Sequence, residues 1–169
     1  MNVLFTAGTQ FIFPRMARVI EAVADARPSW TLVYQAGPGA EGDALPHRVG
    51  VRVHPLFPVK EFKAIFEAAE LVVTHAGMGN IITCLEASKS AIIMPRLVQC
   101  SEHRNDHQIA TAESVNKIYN VPYFFDHQAL IDAIVNYEPT KTMSSDMWEN
   151  ISAERSKFSE NLNALVKKL

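Results

Sequence analysis

The stretch VVTHAGMGNIITCLEAS occupies residues 72–88. An apolar run passes a histidine and two glycines and then enters a helical pattern at once. Glycine loses more backbone entropy on folding than other residues, so two in one turn point to a geometry that needs them. The order strand, Gly-x-Gly, helix N-terminus lets backbone N–H groups approach an anion. Gly77, Met78, Gly79 and Asn80 form this turn, with His75 before it. Asn80 is a good N-cap and is expected to open the helix. The third glycine of a dinucleotide motif is absent, because Ile82 stands there. Leu97 and Val98 occupy the positions about 20 residues on where an acid would hold a ribose. A nicotinamide dinucleotide is therefore not expected. A tight strand-to-helix turn without a ligand accounts for the pattern about as well as a phosphate site does.

The flanking pattern sets the fold. Apolar runs at 1–7, 30–35, 49–53, 71–74 and 91–94 read as strands. Between them, helices are predicted from Pro14, from Pro58, from Asn80 and over 104–114. A last short strand is expected within 119–125 and a helix over 128–136. A long amphipathic helix is expected over 144–169, with Ile151, Phe158, Leu162, Leu165 and Leu169 as its stripe. This alternation predicts an α/β fold, a Rossmann-like parallel sheet with helices on both faces, in one domain over 1–169. Ligands of such sheets bind beyond the carboxyl ends of the strands. Three breaks fall there: Gly8-Thr9, the His75 turn and the loop after Met94.

Gly37-Pro-Gly-Ala-Glu-Gly42 matches GxGxxG literally, but Asp43-Ala-Leu-Pro46 follows where a helix is required, so it reads as a flexible loop. Gly8-Thr9, after the first strand, can offer N–H and hydroxyl donors; a plain turn explains it nearly as well. The string SEHRNDHQ (101–108) places Glu102, His103, Arg104, Asp106, His107 and Gln108 beside the His75 turn. A solvated helix start is the simpler reading. His103 and His107 have the i, i+4 spacing of two metal ligands, but the string is not HExxH and only the distant His75 offers a third. No metal site is expected.

The bulk properties narrow the function. A net charge of −2 gives no basic field for nucleic acid, and no apolar run approaches the roughly 20 residues of a membrane span. The N-terminus lacks the basic region of a signal peptide, so a cytoplasmic location is expected. Cys84 and Cys100 form neither a CxxC pair nor a disulfide framework.

HAGMGN…EAS followed by MPR…EHRNDHQIATA resembles the C-terminal domain of family 28 glycosyltransferases, as do FTAGTQFIFPRM and YQAG near the start. Within that family the chain is most similar to the short PssE-type subunits of bacterial exopolysaccharide synthesis. The resemblance implies the donor-binding C-terminal half of a GT-B enzyme, an inverting transferase. It would take a UDP-sugar to a lipid-linked saccharide acceptor together with a membrane-anchored partner subunit, at the inner face of the plasma membrane. It further implies that His75 to Asn80 face the diphosphate and sugar, that Glu102 to Gln108 contact sugar and nucleotide, and that Glu86 is the helix's acidic residue. Three positions depart from the family's usual pattern: Ser88-Lys89-Ser90 for Gly-Lys-Pro, Cys100-Ser101 where a glycine precedes Glu-His, and Thr83 for a ribose-binding glutamate.

The chemistry fits this implication without a metal. A departing UDP needs its charge stabilised, no Asp-x-Asp is present, and a helix dipole with N–H donors at Gly77 to Asn80 can serve. His75 would add to it, protonated or as a hydrogen-bond donor. For the base, His103, Asp106, His107 and a group on a partner chain all remain open.

Overall fold

The structure is a computed structural model that describes residues 1–139 of the 169. The helix expected over 144–169 lies outside the described residues. Five parallel strands, β1 (Asn2–Thr6), β2 (Thr31–Gln35), β3 (Val51–His54), β4 (Leu71–Thr74) and β5 (Ala91–Ile93), form one sheet in the order β3-β2-β1-β4-β5. Five helices join and follow them: α1 (Pro14–Ala26), α2 (Val59–Ala68), α3 (Met78–Glu86), α4 (His107–Tyr119) and α5 (His127–Val135).

β1, β2 and β4 are buried on both sides because helices cover both faces, whereas the edge strand β3 alternates half-buried Val51 and Val53 with exposed Arg52 and His54. Val3 and Phe5 of β1 point toward one layer, with Met16, Ile20 and Val23 of α1 and Leu130 and Ile134 of α5. Leu4, Val33 and Val72 point the other way, against Phe66 of α2 and Cys84 of α3. Ile81 and Leu85 of α3 meet Ala112 and Val115 of α4 beside Ile93. Fully burying each large apolar side chain stabilises the fold by roughly 1.5–3 kcal/mol.

Four boundaries differ from the sequence reading. β3 starts at Val51, because Gly50 has φ +94° and Val49 is fully exposed. α4 runs three turns from His107 to Tyr119, ended by Asn120 in the left-handed region (φ 55°) ahead of Pro122. The expected last strand shrinks to a single parallel bridge, Tyr123 to Ile93. α3 begins at Met78 with Gly77 as its N-cap, so Asn80 lies inside the first turn and does not cap it. The Gly37–Gly42 segment ends in a short 3-10 turn at Gly42–Ala44 and buries Ala40 and Ala44 in the core.

Candidate functional site

The chain leaves β1 toward α1 and leaves β4 toward α3, and these neighbouring strands carry their connections away on opposite faces of the sheet. A crevice must open between the two turns. It holds a cavity of about 310 Å³. One wall is the segment from Ala7 to Phe11, and the opposite wall is His75 and the start of α3 from Gly77 to Asn80. Arg96, His103, His107 and Gln108 complete it.

The β1 turn is tied down from within. Gly8 takes φ +82° and donates its N–H to the Thr6 hydroxyl at 3.0 Å. The buried Gln35 amide donates to the Gly8 carbonyl at 3.3 Å and accepts from the Phe57 N–H at 3.2 Å. A Cβ on Gly8 would lie 2.5 Å from Cε1 of His75, and one on Gly77 would lie 2.8 Å from the same atom. The imidazole is held between two glycines. The glycines of this crevice therefore serve the histidine as much as any ligand. Gly79 is different: a Cβ there meets nothing within 4 Å and would project into open space.

The α3 wall is set by Thr74. Its hydroxyl accepts from Nδ2 of Asn80 at 2.9 Å, which fastens the first helical turn to the end of β4. The first N–H groups of a helix have no partner within it, so those of this turn are available to a ligand.

Arg96 carries the floor. It is 1% exposed, and it donates to the carbonyls of Ala7 at 2.9 Å, Phe11 at 2.7 Å and Ile12 at 2.5 Å, with its guanidinium 4.4 Å from the centre of the Phe13 ring. Oε1 of Gln108 accepts from the N–H groups of both Ala76 and Arg96, at 3.2 and 3.0 Å. Gln108 and Arg96 thus link the turns after β1, β4 and β5 into one unit. Burial lowers the Arg96 pKa to about 10, opposed by Glu102 and Tyr34, so the guanidinium stays charged at neutral pH.

Of the residues expected from sequence, Gly8, Thr9, His75, Gly77, Met78, Gly79, Asn80, His103 and Gln108 come together around the cavity. Three do not line it. Glu86 sits exposed at the far end of α3. Glu102 turns inward, where Arg15 grips it from Nε and Nη2 at 2.7 and 2.6 Å and the Leu97 N–H donates to it at 3.1 Å. Asp106 precedes α4, and its carboxylate accepts from the Val98 N–H at 3.0 Å. Arg96 and Phe11, which do line it, stand inside the strings MPR and FTAGTQFIFPRM that carry the family resemblance, but nothing in the sequence singles either out as a site residue.

The histidines differ in their surroundings. Burial, reinforced by Arg96, lowers the His75 pKa to about 4, although a hydrogen bond with the Thr6 backbone opposes the shift. His75 is therefore neutral at pH 7, which of its two expected roles favours the hydrogen-bond donor over the protonated ring. Its Nδ1 is buried without a partner among the described residues. The His103 ring packs edge-on against Phe11 and His107, at 5.6 and 4.5 Å between centres. Among the described residues, no group of three or more His, Cys, Asp or Glu is arranged to hold a metal. No described helix is long and apolar enough to cross a membrane. Cys84 is a buried thiol whose pKa burial pushes up to about 12, and Cys100 is exposed.

The fold recurs in known proteins. The calicheamicin glycosyltransferase CalG4 superposes with a TM-score of 0.61 at 16% identity, over 98% of this chain and 43% of that one. MurG from Acinetobacter baumannii superposes at 0.57 and 16% identity, over 79% and 40%. The glycosyltransferase SsfS6 from Streptomyces sp. SF2575, complexed with thymidine diphosphate, superposes at 0.50 and 15% identity, over 99% and 41%. The chain therefore spans less than half the length of each. No curated protein matches it in sequence. The profile of the glycosyltransferase family 28 C-terminal domain matches residues 2–163. The chain belongs to that family and has the fold of the C-terminal half of a GT-B glycosyltransferase.

Proposed function

We propose that the chain is the donor-binding catalytic subunit of an inverting UDP-sugar glycosyltransferase. In this reading it transfers a sugar to a lipid-linked acceptor in bacterial exopolysaccharide synthesis and works with a membrane-anchored partner. One observation carries the donor site: the cavity combines the N-terminus of α3 with a buried guanidinium, and among the described residues no Asp or Glu lines it. Such a wall favours an anion. Thymidine diphosphate in SsfS6, a pyrimidine nucleoside diphosphate like UDP, supports the same class of ligand.

In the proposed reaction the diphosphate lies against the N–H groups from Gly77 to Asn80. These groups point where negative charge grows as the bond to the sugar breaks, so they stabilise the leaving UDP without a metal. Neutral His75 contributes a hydrogen bond rather than a charge. His103 and His107 are the imidazoles at the cavity that can take the acceptor's proton, and a base on the partner is the alternative.

That no carboxylate among the described residues lines the wall favours one further reading. Here the chain is a non-catalytic nucleotide-sugar-binding subunit and the partner supplies the base. Thermal-shift titration with UDP-glucose, UDP-glucuronate, UDP-galactose and UDP-N-acetylglucosamine tests the donor site that both readings need. Transfer by the reconstituted pair, in excess EDTA, with His75, His103 and His107 variants, separates them. Loss of transfer on chelation, restored by magnesium or manganese, would refute the metal-free diphosphate site.

A further inference from the structure

Arg96 carries a charge that its surroundings do not cancel. Its Nη1 and Nη2 groups donate to carbonyl oxygens alone: Ala7, Phe11, Ile12 and, at 3.4 Å, Glu102. The only buried carboxylate nearby among the described residues is that of Glu102, which Arg15 holds through two hydrogen bonds. Two guanidinium groups share one carboxylate, so the cluster keeps one positive charge. The neighbouring titratable groups do not offset it, since His75 is neutral and burial keeps the Tyr34 phenol protonated. Removing an ion from water without a counter-ion is expensive, and the carbonyl dipoles offset only part of that. The charge lies in the cavity wall, where low dielectric and poor access to salt preserve its field.

We propose that Arg96 is a specificity-determining residue, the fixed counter-charge of this cavity that selects an anionic group over a neutral one. The inference rests on the donor-site reading and adds a residue to it. Arg96 differs from a mobile phosphate-binding lysine because the loop carbonyls already hold its terminal nitrogens. Its charge is thus in place before the ligand arrives, and no side-chain entropy is lost on binding.

The test compares UDP with uridine by calorimetry on the native chain, Arg96→Met, Arg96→Lys and Glu102→Gln, each checked for folding by circular dichroism. Arg96→Met should weaken UDP by about tenfold or more and leave uridine nearly unchanged. Arg96→Lys retains the charge but not the four carbonyl bonds, and should keep most of the preference for UDP. Glu102→Gln raises the net charge of the cluster and should strengthen UDP but not uridine. A folded Arg96→Met with the native UDP-to-uridine ratio overturns the proposal. If Arg96→Met does not fold, an unchanged ratio in Glu102→Gln overturns it, as does loss of the preference in a folded Arg96→Lys. A native chain that binds UDP no better than uridine overturns both this inference and the donor-site reading. A native preference for UDP that survives in Arg96→Met overturns the inference alone.

Discussion

The imidazole of His75 fills the space that a side chain on Gly77 would need: a Cβ there would overlap Nε2 and lie 2.8 and 2.9 Å from Cε1 and Cδ2. Gly77 has φ −84°, so its backbone conformation is open to any residue and the conflict is wholly with the ring. Gly77→Ala should therefore destabilise the chain by about 1–3 kcal/mol, the usual range for overpacking. Adding His75→Ala should remove most of that penalty, which a double-mutant cycle in urea measures. Gly79→Val should behave in the opposite way. Its Cβ meets nothing in the protein, so stability should change little while UDP affinity falls. Unchanged UDP affinity in a folded Gly79→Val would place the ligand elsewhere.

A pH dependence follows from the same ring. Burial first, and Arg96 second, lower the folded pKa of His75 to about 4, from 6.5 in the open chain. Between these values the unfolded chain binds a proton that the folded chain refuses. Stability is thus full above pH 6.5 and falls as pH drops toward 4, by about 3 kcal/mol at most for this group. His127 is lowered too, also mainly by burial, and acts in the same direction. His75→Gln should flatten the acid limb of a stability–pH curve from urea melts. A limb of native steepness in that variant would show that His75 does not titrate in this range.

Two of the family departures read from the sequence have a physical consequence. Ser88 and Ser101 have φ 49° and 56°, in the left-handed region that favours glycine. Ser88 closes α3: its N–H donates to Leu85 and the next N–H, of Lys89, to Cys84, the two bonds of a Schellman cap. Ser101 follows the 3-10 turn Val98–Cys100. Ser88→Gly and Ser101→Gly should each stabilise by about 0.5–1 kcal/mol, net of glycine's greater unfolded entropy. For a chain of this size that raises Tm by roughly 1–4 °C each, measurable by calorimetry. A fall in Tm would mean that the serine side chains make compensating contacts.

The sheet and the position of the crevice were legible because both follow from local pattern: apolar runs of strand length, helical periodicity, and turns after β1, β4 and β5. The start of α3 was misjudged because Asn outranks Gly as an N-cap by propensity, whereas here Asn80 spends its amide on Thr74. The roles of Arg96 and Glu102 were out of reach for a different reason. Arg96 bonds to carbonyls 84, 85 and 89 positions away, and Glu102 to an arginine 87 positions away. A buried ion's partners are decided by how the turns converge, and backbone carbonyls leave no mark in the sequence. That is why Glu102 resembles a ligand-facing acid when read in its string yet turns inward in the fold.

The proposed dependence on a partner gives the last prediction. The chain spans 40–43% of the length of CalG4, MurG and SsfS6, so in those proteins more than half of the molecule lies beyond what it matches. If the acceptor is lipid-linked, another surface must bring it to the cavity. The rim of the cavity offers a place for that surface. Phe11 and Met78 line the opening and are 40% and 50% exposed, and Ile82 lies one turn further along α3 on the same side as Met78. Val98, on the loop after β5, is also exposed. Large apolar side chains grouped at one edge mark an interaction surface more often than scattered ones do. Purified alone, the chain should bind UDP-sugar and transfer little to a lipid-linked acceptor, while co-expression with its partner should bring it to the membrane fraction and restore transfer. Ile82→Asp and Val98→Asp, neither of which lines the cavity, should weaken co-purification by at least about tenfold, since each buries an unpaired charge on docking. UDP affinity should stay at the native value in both. Co-purification that survives both changes would move the partner surface away from this edge, and efficient transfer by the isolated chain would remove the need for a partner altogether.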